Sequence, residues 1–298
     1  MRIKKSNNMD NKKGGYCLRG DLHTHTVVSD GSCTREEVFA RARTEGLGAL
    51  AVTDHDDIGE PDGDFLLGEK YGILPVYGTE LSAYDYQRDR RVHILCYYPQ
   101  DVGAIRTVCK KTTQNRQEAG LEMARLVAER FPISVEEVLR TTGNAKSIFK
   151  QHIMLTLMRA GYATEMYGSL WKELFDVNAG SCVRTCVSPE VFDVVKLVRK
   201  AGGIAVMAHP FTYNSVDVLH ELIEQNLLDG IEVWQSKTTP EQERFLEELA
   251  DAHGLIKTGG SDFHGSNASK VSPVGRGCTP QESLLRLFSL RDRRKSMG

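Results

Sequence analysis

Residues 202–234 read GGIAVMAHPFTYNSVDVLHELIEQNLLDGIEVW. Two short apolar runs, GGIAVMAH and DGIEVW, flank a stretch from 214 to 226 whose apolar residues recur at helical spacing. Strand, helix, strand is the repeating unit of a parallel sheet covered by helices. The first of these strands closes on His209. Downstream, 240–253 reads as a helix, LIKTGGSD as a strand and 280–291 as a last helix, with the basic tail RDRRKSMG expected to fray. Upstream, 188–201 reads as a helix with Ser188 at the N-cap and Pro189 at the first position.

The same alternation returns near the N-terminus. Residues 16–23 (YCLRGDLH) read as a strand ending on a histidine. Residues 34–46 read as a helix with Thr34 as N-cap, Glu37 completing a capping box and Gly46 as the stop. GALAVT (48–53) is a buried strand, 60–71 is helical, 73–80 is a strand ending on Glu80, and 91–98 is another strand. Between them, 101–131, 134–141, 149–160 and 166–176 all read as helix. The expected class is therefore α/β. A discontinuous sheet domain (16–100 and 188–292) is interrupted by a helical insert (101–187) and preceded by a basic leader (1–15) read as disordered.

Composition excludes some function classes. Of 298 residues, 40% are hydrophobic and 26% charged, as in a soluble globular chain. The net charge of -2 gives no global field for nucleic acid, so an anionic substrate has to be caught by metal or by a few placed cations. No apolar run reaches the roughly 18 residues of a membrane span. The seven cysteines are an odd number without an export signal. Reduced thiols, no disulfide partner and a cytoplasmic location follow as expectations. Cys182 and Cys186 do not have C-x-x-C spacing.

The chemistry lies in where ligand-type residues fall. His23 and His25 follow the first strand, His55 follows GALAVT, Glu80 closes the third strand, His209 closes GGIAVMAH, and Asp262 and His264 follow LIKTGG. In a closed parallel barrel such positions converge on one face. In extended backbone, i and i+2 point the same way, so His23/His25 and Asp262/His264 can each offer two ligands to one cavity. Imidazole plus carboxylate without thiolate suits Zn, Mn or Fe. Taken singly, each element has a plainer reading: His93 inside VHIL as a strand histidine, TDHDD as a capping turn, SDFHG as a turn. Their coincidence at strand ends favours the joint reading. His220 and His253 read as structural, the latter at a helix end where a cation meets the dipole.

At these residues the sequence resembles the PHP superfamily, named for polymerase and histidinol phosphatase. The motifs are DLHTHTVVSDGS, VTDHDD, GTELSA, VHILCY, AVMAHP and TGGSDFHG, in order from residue 21 to 265. The resemblance implies a distorted (β/α)7 TIM-like barrel carrying roughly two to three divalent metal ions (Mn, Zn or Fe). It implies His23, His25, Glu80 and Asp262 at a first metal, and Asp30, His55 and His264 at a second. His93 and His209 fall at a third, with Glu80 bridging. Asp262, His264 and His25 are the positions carried over as catalytic.

The insert is similar to that of the smaller nucleotide-directed phosphoesterases of the superfamily. Those relatives carry an Arg-Pro-His-like motif that touches substrate phosphate. Here Lys150-Gln151-His152 stands in its place, opening a helix whose free N–H groups favour anions. Lys150 and His152 are thus the expected substrate-binding pair, with lysine a point charge rather than a bidentate fork.

The implied function is metal-dependent hydrolysis of phosphate monoesters of small nucleotides, such as nucleoside 3′,5′-bisphosphates, or of short oligonucleotide ends. The partners are a small phosphorylated substrate and its phosphate product, with no membrane. The alternatives are a histidinol-phosphate-type phosphatase and a non-catalytic, metal-stabilised PHP module. An amidohydrolase is disfavoured because no lysine is read after a middle strand.

Overall fold

A computed structural model describes residues 18–270 and 272–297, except the side chain of Met297. The expected leader, Cys17 and the final Gly298 lie outside the described residues. Two sheets form the frame. In the first, β1 (Gly20–Asp21), β2 (Ala49–Leu50) and β3 (Leu74–Pro75) run parallel. The second has the order β4 (Gly78–Asp85), β5 (Arg90–Tyr97), β6 (Ile204–Met207), β7 (Gly230–Gln235) and β8 (Ile256–Gly260).

An all-parallel sheet is not what forms. β5 is antiparallel to both β4 and β6, and only β6, β7 and β8 continue in parallel. The cause is local. β4 and β5 are joined by the short turn at 86–89, and a hairpin connection of that length forces antiparallel pairing. Backbone hydrogen bonds also link the two sheets. Leu22 N donates to Gly259 O at 3.1 Å, Asp262 N to His23 O at 2.9 Å and Glu80 N to Thr53 O at 3.1 Å. Where β8 presses on the first sheet, Gly260 is required, because a Cβ there would lie 2.4 Å from the Cβ of His23.

The helices cover these strands. They are α1 (Arg35–Thr44), α2 (Pro61–Tyr71), α3 (Val102–Ala128), α4 (Val135–Thr142), α5 (Lys150–Arg159), α6 (Ser169–Phe175), α7 (Val191–Lys200), α8 (Val216–Glu224), α9 (Pro240–Ala252) and α10 (Gln281–Met297). α1 starts as its sequence demands: Thr34 Oγ1 accepts from Glu37 N, and Glu37 closes the capping box. Apolar residues from both sheets, including Leu22, Val76, Leu95, Tyr97, Val206 and Ile256, pack together with Leu284 and Leu287 of α10. The helices between β5 and α7 have a cluster of their own, with Met123, Val127, Val138, Ile153, Leu157 and Phe175 buried together.

Several boundaries differ from expectation. The strand expected over 73–80 is split into β3 and β4, and β4 runs on to Asp85, so Glu80 lies inside a strand rather than at its end. Residues 188–190 are not helical: Pro189 O accepts from Tyr84 N at 2.9 Å and Glu190 pairs in parallel with Tyr84. That extension of the sheet delays α7 to Val191, with Glu190 at the N-cap. The basic tail does not fray either. α10 runs on to Met297, because Arg294 reaches Asp229 at 2.6 Å and the Gly203 carbonyl, and the Arg291 guanidinium lies over the Tyr98 ring. Among the described residues no helix is long and apolar enough to cross a membrane, and the six described cysteines are free.

Candidate metal centre

The chain delivers nine imidazoles and carboxylates to one place. His23 and His25 follow β1, Asp30 lies in the loop toward α1, His55 follows β2, and Glu80 and His93 face each other from β4 and β5. His209 follows β6, and Asp262 and His264 follow β8. They form four overlapping groups whose ligand atoms lie within 4.8 Å of one another. The groups are His25/Asp30/His55/His264, His23/Glu80/His209, His23/His25/Asp262 and His55/Glu80/His93.

Glu80 is the hub. Its Oε2 lies 3.2 Å from His23 Nε2, 3.3 Å from His25 Nε2 and 3.0 Å from His55 Nδ1. Its Oε1 lies 2.8 Å from His93 Nδ1 and 2.9 Å from His209 Nε2. Asp262 Oδ1 is 3.3 Å from His25 Nε2, and Asp30 Oδ1 is 3.2 Å from His264 Nε2. Backbone geometry helps aim the ligands. His209 has φ +25° ahead of Pro210 and Asp262 has φ +51°, both in the left-handed region that non-glycine residues seldom adopt.

The donor set fits divalent cations on an independent ground. Buried polar atoms almost always find partners. Here His23 Nε2, both ring nitrogens of His25, Asp30 Oδ1, His55 Nδ1, Glu80 Oε2 and His209 Nδ1 are buried without a hydrogen-bond partner. Orphaned ligand atoms crowded around one point are what a cation would satisfy.

The electrostatics agree. Burial opposes the charge of Glu80, but His23, His93 and His55 outweigh it and hold its carboxyl well below the ordinary range. Burial likewise opposes a proton on His25, yet the adjacent carboxylates of Asp262 and Glu80 push its pKa up to about 10. At His93 burial wins, and the pKa falls to about 4.

A supporting layer escaped the reading of the sequence. Glu232 in β7 bonds His23 Nδ1 at 2.9 Å and accepts from His209 N at 2.9 Å. An acid inside the apolar run DGIEVW was the available signal for it. Gln235 Nε2 and Lys237 Nζ both reach Asp262 Oδ2, at 3.2 and 3.0 Å. Lys237 lies two residues past the end of β7, the seventh of the eight described strands, so it does not stand after a middle strand. Gln151 Nε2 donates to Asp30 Oδ2 at 3.0 Å, so the middle residue of Lys-Gln-His touches a ligand.

The flanking pair behaves differently from expectation. Lys150 Nζ donates to Phe175 O at 3.1 Å and lines a 510 Å³ cavity, together with Arg91, Arg116, Arg184, Phe149 and Trp171. His152 instead turns back on its own helix: it is 4% exposed, and its Nδ1 accepts from Phe149 N at 3.1 Å. Burial lowers its pKa to about 4. His152 lines neither this cavity nor the smaller one of 190 Å³, which is bordered by Asp30, His209, Asp262 and His264. His55, His93, Gln151 and Tyr213 border both cavities. A larger cavity of 660 Å³ lies between α8 and α10, and none of the nine ligand-type residues lines it.

Residues 21–177 match the family model of the PHP domain. This chain belongs to the PHP family. Its PHP relatives span nearly its full length. It is 37% identical over 257 residues to a phosphoribosyl 1,2-cyclic phosphate 1,2-diphosphodiesterase of Eggerthella lenta, covering 86% of this chain and 97% of that protein. It is 32% identical to a 3′,5′-nucleoside bisphosphate phosphatase of Chromobacterium violaceum, covering 82% of this chain and 86% of that one. It is 28% identical to the 5′-3′ exoribonuclease Rnm of Escherichia coli, covering 84% and 86%. Among solved structures, a proposed metal-dependent phosphoesterase of Bifidobacterium adolescentis superposes with a TM-score of 0.82 at 29% identity, covering 91% of this chain and 96% of that one. The PHP chain is thus a metal-dependent phosphoesterase, a hydrolase of phosphate esters, on a mixed α/β PHP fold.

Proposed function

We propose that this phosphoesterase removes phosphate from a small nucleotide carrying a second phosphate, such as a nucleoside 3′,5′-bisphosphate, with a short oligonucleotide end as the related substrate. One observation carries the reading: nine ligand-type groups converge, and two of them, His55 and His93, line a cavity with cationic and aromatic walls. Arg91, Arg116, Lys150 and Arg184 can attract the phosphate that is not attacked, and Phe149 and Trp171 offer faces for a base. The names of the relatives in Chromobacterium violaceum and Escherichia coli support a nucleotide.

In this reading His23, His25, Glu80 and Asp262 would hold one cation, Asp30, His55 and His264 a second, and His93 and His209, beside Glu80, a third. Manganese, zinc and iron all suit nitrogen and oxygen donors. When bound, such cations lower the pKa of water and neutralise charge on phosphoryl oxygens. The protein's own part is positional. Glu232 fixes the ring of His23, while Gln235 and Lys237 hold one oxygen of Asp262 and leave the other to the imidazoles. Asp262, His264 and His25 are then ligands before they are anything else. Lys150 serves as the cation for the second phosphate, and His152 keeps the start of α5 in place to present it. The two sheets read as one distorted (β/α)7 ring built from 16–100 and 188–292, with 101–187 roofing its mouth. The backbone bonds between the sheets support that reading.

The test is a Mn²⁺-dependent screen over nucleoside monophosphates, 3′,5′-bisphosphates, a ribose cyclic phosphate and short oligoribonucleotides. Bisphosphates are expected to give the highest kcat/KM, and His25→Ala to abolish phosphate release. Turnover retained in His25→Ala would remove the pocket from the reaction. Preference for the cyclic ester or for a simple monophosphate would overturn the bisphosphate reading.

A further inference from the structure

Lys237 stands apart from the supporting layer to which its contact with Asp262 assigns it. Gln235 already donates to the same Asp262 oxygen, so that ligand does not depend on the lysine for a partner. The turn that presents Lys237 is itself held: Lys237 N donates to Gln235 Oε1 at 2.7 Å, and Thr238 N to Gln235 O at 3.0 Å. A residue with a flexible four-carbon stem is thus fixed at its root and at its tip.

The ammonium has three N–H groups. One is directed at Asp262, and the side chain remains 36% exposed on the wall of the 190 Å³ cavity bordered by His93, His209, Tyr213 and His264. Both lysines that line this cavity are exposed, and Lys237 is the one bonded to a ligand-type residue. A fixed cation with donors to spare, at the edge of a buried polar site, is suited to charge that grows on phosphoryl oxygens.

We propose that Lys237 is a catalytic residue whose ammonium grips a non-bridging oxygen of the phosphoryl group under attack. The proposal rests on the phosphoesterase reading above. In the hydrolysis, the oxygen of water joins phosphorus as the ester P–O bond breaks. The departing oxygen leaves as the alcohol, carrying a proton that came from the water, and inorganic phosphate remains. Lys237 keeps its proton throughout and contributes charge alone.

The experiment compares wild type, Lys237→Met and Lys237→Arg, each loaded with Mn²⁺. Three quantities are read: bound manganese per chain, affinity for inorganic phosphate by calorimetry, and kcat on a phosphate ester. Lys237→Met is expected to keep its manganese, to bind phosphate more weakly and to lose about 10²-fold in kcat. Lys237→Arg, which restores the charge, is expected to recover part of both losses. Unchanged phosphate affinity in Lys237→Met, or loss of manganese in step with activity, would show that the lysine serves Asp262 alone and overturn the proposal. A wild type that turns over no phosphate ester would sink the phosphoesterase reading instead, and phosphate calorimetry would still decide whether Lys237 grips the anion.

Discussion

Five imidazoles face the two oxygens of Glu80, and that crowding is tolerable only if something positive sits among them. A buried carboxylate alone is costly, and a buried imidazole without a partner is nearly so. Residue chemistry also sets a pH dependence, at Lys150. Burial disfavours its ammonium and Arg91 repels it, so its pKa falls to about 8 from an ordinary lysine value. Because the folded value lies below the unfolded one, charging Lys150 costs stability below about pH 8, and that cost fades as pH climbs toward the unfolded pKa. Anion binding runs the other way, since the charged form binds. The ratio of kcat/KM for wild type over Lys150→Met, on a bisphosphate, is expected to exceed one at neutral pH and to fall toward one as pH rises through about 8. A ratio that stays flat across that window would place the second phosphate elsewhere.

At the scale of elements, strand ends are legible because apolar runs separated by polar ones mark them, and six of the ligand-type residues sit just beyond such ends, whereas Glu80, expected at a strand end, lies inside β4. His93 and Asp30 needed the resemblance, since one lies inside a strand and the other in a loop. The antiparallel β5 was not legible, because an apolar run carries no direction. Nor was the docking of the basic end of α10, which depends on Asp229 and Tyr98, far away in the chain. The Lys-Gln-His segment was read for its outer residues, yet it is Gln151 at the start of α5 that reaches Asp30. Partners that orient ligands typically change metal affinity by roughly 10–100-fold. Gln151→Ala is therefore expected to weaken one bound cation by roughly 10-fold in competition with a chelator. Equal affinity in the variant would mean that Asp30 holds its orientation without help from the helix.

For the whole molecule, the centre ties β1, β2, β4, β5, β6 and β8 together at one point, so cation binding and folding are coupled. A ligand that binds only the folded chain stabilises it by about 2.7 kcal/mol at a hundredfold excess over its Kd. Stripping the protein with a chelator is expected to lower Tm, and restoring Mn²⁺ to raise it again. A Tm indifferent to both steps would separate the centre from the fold. The decisive measurement is anomalous diffraction from a manganese-loaded crystal. The account predicts peaks within coordination distance of His23, His25, His55, Glu80 and Asp262. An anomalous map with no peak among those side chains would contradict it.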